Sequence, residues 1–128
     1  MTDPSVDTRI ESCLDAARAC GEALAFMRGS EALAGDGDLA GCLSEAARVT
    51  SLSADCLARL PDLRDMVLRV CVEITERAAL ACARHVDEAP LAACGETLAA
   101  CAAICTEGVE LDMAAPSWGP QMGARPLH

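Results

Sequence analysis

The stretch CGETLAACAAIC, residues 94–105, decides the fold. Its apolar side chains Leu98, Cys101, Ile104 and Cys105 recur at spacings of three and four, the period of one helix face. Nothing in it alternates as a half-buried strand would. Alanine, the best helix former and a poor strand former, dominates it. The same period runs outward through the chain in three further segments. One extends from Pro4 or Thr8 to Arg28, with Asp3 as a capping acid, Pro4 at a first helical position and Gly29 as the stop. Residues 30–38, holding Gly35 and Gly37, read as a loop. A second helix runs from about Leu39 to Leu60, where Pro61 forbids easy continuation. Asp62 is placed to cap a third, from about Leu63 to His85; residues 86–89 turn, and Pro90 opens a fourth that ends near Asp112. Four helices with short connections imply an all-α fold: an antiparallel up-down-up-down four-helix bundle over residues 1–113. Pro116, Gly119, Pro120, Gly123 and Pro126 mark an irregular tail over residues 114–128.

Composition narrows the function. The chain has 128 residues, enough for one domain with a modest core, and its 52% hydrophobic content argues against disorder. A net charge of −10 repels phosphate backbones, so no nucleic-acid partner is expected. One Phe, one Trp and no Tyr leave nothing on which bases could stack. All ten bases are Arg, which removes Schiff-base and P-loop lysine mechanisms. No apolar run approaches the roughly 18 residues of a membrane span, so no membrane partner is expected. Residues 1–10 are polar and do not read as a signal peptide. Nine cysteines is an odd number, so at least one thiol stays unpaired within the chain. These features together point to a cytoplasmic protein with reduced thiols, where cysteines more often bind metal or do chemistry.

The cysteines follow the helical period. Cys13, Cys20 and Met27 are seven apart, as are Cys42, Val49 and Cys56, and Cys94 and Cys101; Cys105 follows Cys101 by four, and Cys71 and Cys82 are eleven apart. Each set falls on one face with Ile10, Leu24, Leu60, Val67, Ile74, Leu98 and Ile104, and so points into the core. At about 1.5 Å rise per residue, an antiparallel bundle places Cys13, Cys56, Cys71 and Cys105 near one end, with Cys101 just above. Cys42, Cys82 and Cys94 fall near the other, beside Met27 and His85, and Cys20 lies towards the middle. Converging thiols with a thioether suit a soft, thiophilic ion, Cu(I) above all. Zinc knuckles of C-x2-C or H-x3-H spacing are absent, as is ferredoxin-like spacing.

The segments CLDAARAC (residues 13–20), CLSEAARVTSLSADC (42–56), CVEITERAALACARH (71–85) and CGETLAACAAIC (94–105) resemble the cysteine-rich copper storage proteins of the cytosolic type. That resemblance covers about Ile10 to Met113. It implies a four-helix bundle, typically a homo-tetramer, whose lumen is lined by cysteines that hold Cu(I) ions. On this chain the implied lumen positions are Cys13, Cys20, Cys42, Cys56, Cys71, Cys82, Cys94, Cys101 and Cys105, with His85 by the mouth through which copper enters. Ala17, Leu24, Ala46, Thr75 and Thr97 stand where further cysteines would be expected, so the implied capacity is reduced.

The remaining polar residues have plainer readings. Thr50, Thr75 and Thr97 can return their hydroxyls to their own helices, and Glu73, Glu76 and Glu96 read as solvated surface. There is no E-x-x-H pattern for a di-iron site, and Cys82 with His85 lacks a third group to orient a nucleophilic dyad, so no enzyme is expected. Two alternatives to copper storage or buffering stand beside it: a bundle whose lumen binds or transforms a small molecule, and an alanine-rich structural module whose cysteines are inert.

Overall fold

A computed structural model describes residues 4–113, and the side chains of residues 6–109. It holds four helices, α1 (Pro4–Arg28), α2 (Gly37–Arg59), α3 (Arg64–Ala83) and α4 (Ala89–Met113), with a 3-10 turn at Pro61–Leu63, and no strand among the described residues. The expected cap Asp3 and the tail of residues 114–128 lie outside the described residues. Helix α1 packs against α2 and α4, and α3 against the same two, so α1 and α3 face each other across the bundle. Cys105 meets Cys71, and the Cβ position of Gly95 stands 3.1 Å from that of Cys82, so α3 and α4 run antiparallel.

Three boundaries differ from the sequence reading. Helix α2 begins at Gly37, not Leu39, because Asp36 accepts a hydrogen bond from the Leu39 N–H at 3.0 Å and caps it. Asp62 caps nothing: it sits inside the 3-10 turn, and the residue before α3, Leu63, makes no side-chain cap. Helix α3 ends at Ala83, short of His85, whose N–H bonds to the Cys82 carbonyl at 2.9 Å in a tighter closing turn. One exclusion is also corrected. Residues Ala89–Val109 of α4 are long and apolar enough to cross a membrane by length and composition. Glu96 interrupts the run, which hid the stretch from a count of consecutive apolar residues. In the bundle about a third of it is buried.

The core is built unequally. Leu43 and Leu57 from α2, Leu68 from α3, and Leu91 and Leu98 from α4 are fully buried. Each stabilises the fold by about 1.5–3 kcal/mol. Facing them, α1 supplies mostly small side chains: Cys13, Ala16, Cys20 and Ala23, with Met27 at its far end. Thr50 and Thr75 are fully buried and donate to the carbonyls of Ala46 and Cys71, both at 2.7 Å, which satisfies them inside their own helices. Thr97 donates to the Ala93 carbonyl at 3.1 Å. Beyond the Cys13–Cys71 level, Gly108 lets α4 approach: a Cβ there would stand 2.6 Å from Arg9 Nε and 2.9 Å from Leu68 Cδ1. Arg9 is buried, its guanidinium stem lying in the space a side chain at Gly108 would fill.

Candidate metal centre

All nine cysteines are free thiols. Four of them, Cys13, Cys71, Cys101 and Cys105, are fully buried and bring their Sγ atoms within 4.8 Å of one another. Cys13 and Cys71 Sγ are 3.7 Å apart, and Cys105 and Cys71 Sγ 4.0 Å. Three helices supply them: α1 gives one, α3 gives one, and α4 gives two from the i, i+4 pair that faces one way. Among the described residues this is the one group of three or more such donors close enough to share an ion, and it contains no nitrogen or oxygen ligand.

Cys56 does not belong to it, although the height arithmetic placed it there. The buried seam of α2 is Leu39, Leu43, Ala46, Thr50, Ser53 and Leu57. Cys42 and Cys56 each precede a seam leucine by one residue, which on a helix is a rotation of about 100°. Both are consequently only half-buried, on the flank of α2. Cys101 takes the fourth place. Leu60, also expected inside, is 45% exposed.

Towards the other end Cys94 has Cys20 and Cys82 as the thiols that act on its acidity, and all three are buried. Cys20 thus joins this set in place of Cys42. Met27 is buried at the end of α1. His85 lies outside both sets: its Nε2 is 3.7 Å from the Asp36 carboxylate, which ties the end of α3 to the start of α2.

The sulfurs perturb one another's acidity. Hydrogen bonds from Cys105, Cys13 and Cys71 draw the Cys101 thiol well below its ordinary value. The partner thiols are pushed the other way: Cys13 mainly by its bond with Cys101, then by Cys105, Cys71 and burial, and Cys105 again mainly by Cys101. Within the group Cys101 is therefore the thiol whose ionisation its neighbours favour, and Cys13 and Cys105 are those whose ionisation they oppose. Cys94 is pushed up to about 12, first by its bond with Cys20 and then by burial, against an opposing bond with Cys82. Cys82 is raised by its bond with Cys94 and by burial. Buried thiols held protonated in this way are poor nucleophiles in the absence of metal. A thiophilic cation replaces their protons and removes the charge that opposes ionisation. No protein-family model, no curated protein and no solved structure matches the chain.

Proposed function

We propose that the chain binds Cu(I) in the core of its bundle, as a store or buffer of small capacity. The four converging buried sulfurs of Cys13, Cys71, Cys101 and Cys105 carry this reading. Charge balance supports it. Cu(I) ions matched one to one with thiolates leave the core neutral, whereas one divalent ion held by four thiolates leaves two negative charges in it. The neighbouring pairs Cys20–Cys94 and Cys82–Cys94 offer two-sulfur places for a monovalent cargo. The segments similar to copper storage proteins support the same reading.

A second reading has its own observation. Four sulfurs at about 2.3 Å around a tetrahedral zinc ion stand about 3.8 Å apart. The sulfur separations of 3.7 and 4.0 Å are close to that edge. Anaerobic titration of the reduced protein with Cu(I), against a chromophoric Cu(I) chelator and then against Zn(II), separates the two. Several tightly held Cu(I) ions that a stoichiometric excess of Zn(II) does not displace support copper storage. A single Zn(II) that Cu(I) fails to displace supports a structural zinc site.

A further inference from the structure

The outer face between α3 and α4 holds an apolar groove of about 830 Å³. Its walls are small: Ala79 and Ala83 on α3, and Ala92, Gly95, Ala99 and Ala103 on α4. Leu80 and Val86 stand on its rim and are 70% and 64% exposed, the two most exposed large apolar side chains described. The groove follows α4 from Leu91 to Glu107, about 24 Å at 1.5 Å per residue. That length and the shallow alanine floor match one helix laid along two others. The lower wall includes Cys82, so an occupant would sit against the sulfur-lined core.

Charge selects the occupant. The groove is lined by three ionisable carboxylates, Glu76, Glu96 and Glu107, all exposed, and by no base. The nearby Arg77 is engaged with Glu73 on its own helix at 3.3 Å. A second copy placing this same face on the groove would bring two sets of these glutamates together without a compensating base from either lining. Anionic lipid would meet the same repulsion. A helix with an apolar stripe flanked by Lys or Arg meets both requirements: side chains for the alanine floor and bases for the rim.

We propose that the α3–α4 groove is the docking site for a basic amphipathic helix of a partner protein. This rests on the groove and its charges, and is independent of which metal the core binds.

The test uses the full chain and an amidated helical peptide of roughly 18 residues built from Leu and Lys, with a Leu/Glu counterpart of identical apolar pattern. Binding is read by anisotropy of labelled peptide at low and high salt. The Leu/Lys peptide should bind saturably and the Leu/Glu peptide should not. Filling the floor without changing charge, by Ala99→Gln with Ala103→Gln, should weaken binding at least roughly tenfold. Glu96→Gln with Glu107→Gln should weaken it roughly threefold to tenfold and flatten its salt dependence. Far-ultraviolet dichroism checks that each variant stays helical. Equal binding to the filled variant would show attraction to the acidic surface at large and overturn the proposal. A wild-type dimer that the filled variant turns into a monomer would assign the groove to a second copy. Partition onto phosphatidylcholine vesicles that the filling abolishes would assign it to lipid. Either result overturns the proposal.

Discussion

Cys13 Sγ lies 3.7 Å from Cys71 Sγ across the diagonal of the bundle, although the two residues are 58 positions apart. Helices on a diagonal do not touch along their backbones, so only side chains aimed at the axis can meet. Small neighbours make this possible. Ala16 and Ala78 are the nearest buried residues beyond the sulfurs on α1 and, past Thr75, on α3, and neither fills the axis. The sulfurs of Cys101 and Cys105 close the group from α4. A layer that other bundles fill with leucine here holds four soft donors.

Membership of that layer is the first thing to test. Replacing Cys101 and Cys105 together with Ala should lower affinity for the first copper by at least roughly a hundredfold, since even groups that only orient a ligand are worth about 10–100-fold. Helix content should not change, because Cys→Ala is a small change in a helix interior. Cys56→Ala should leave the first affinity within about twofold of the parent. Chelator competition under anaerobic conditions measures both. A loss in Cys56→Ala equal to that in the double variant would place Cys56 in the site after all.

The contrast between Cys56 and Cys101 also shows what the sequence made legible. The fold class was readable because four segments carry helical period and Gly or Pro stands in the first two connections and at the start of α4. The core direction of α1, α3 and α4 was readable for the same reason. On α2 the cysteines were misleading. Leu39, Leu43, Ala46, Thr50, Ser53 and Leu57 keep the alternating three-and-four spacing of a buried seam, and Cys42 and Cys56 keep their own heptad one position away. Weighing leucines above cysteines would have found the seam, because a buried leucine gains more from leaving water than a thiol does. Approximate height along the axis was readable from helical rise. The rotation of α2 about its own axis was not, as a single-residue offset moves a side chain from axis to flank with little change in height.

Gly108 should not tolerate a side chain. Gly108→Ala gains about 0.5–1 kcal/mol of helix propensity but drives a methyl group into Arg9 and Leu68, at a packing cost of about 1–3 kcal/mol. Net destabilisation of roughly 1 kcal/mol is expected from urea unfolding. Gly41→Ala is the control: nothing stands within 4 Å of its Cβ position, so it should stabilise by about 0.5–1 kcal/mol.

Stability should fall at alkaline pH. Cys94 is raised from 9.0 to about 12 on folding, and Cys13, Cys82 and Cys105 are raised with it. A raised acid keeps its proton in the folded state, so its contribution is whole below pH 9.0 and is lost as pH climbs towards 12. Cys101, lowered by its neighbours, acts in the opposite sense, but alone. The urea midpoint of the reduced, metal-free protein should therefore drop between pH 8 and 11, and Cys94→Ala should make the drop shallower. A midpoint that rises over that range would contradict the thiol network.

Removing the cap of α2 should cost stability without touching the metal. Asp36→Ala takes away the acceptor for the Leu39 N–H and the carboxylate beside His85, and should destabilise by about 1 kcal/mol. Copper affinity should be unchanged, since His85 stands outside the sulfur group. A copper affinity that fell with this variant or with His85→Ala would bring His85 back as a ligand.

The most direct measurement is a crystal of the reduced protein loaded anaerobically with one equivalent of Cu(I), with anomalous data collected on both sides of the copper edge. The account predicts the strongest anomalous peak among the sulfurs of Cys13, Cys71, Cys101 and Cys105, with no nitrogen or oxygen in contact. A strongest peak on the flank of α2 at Cys42 or Cys56, at His85, or on surface carboxylates would contradict it.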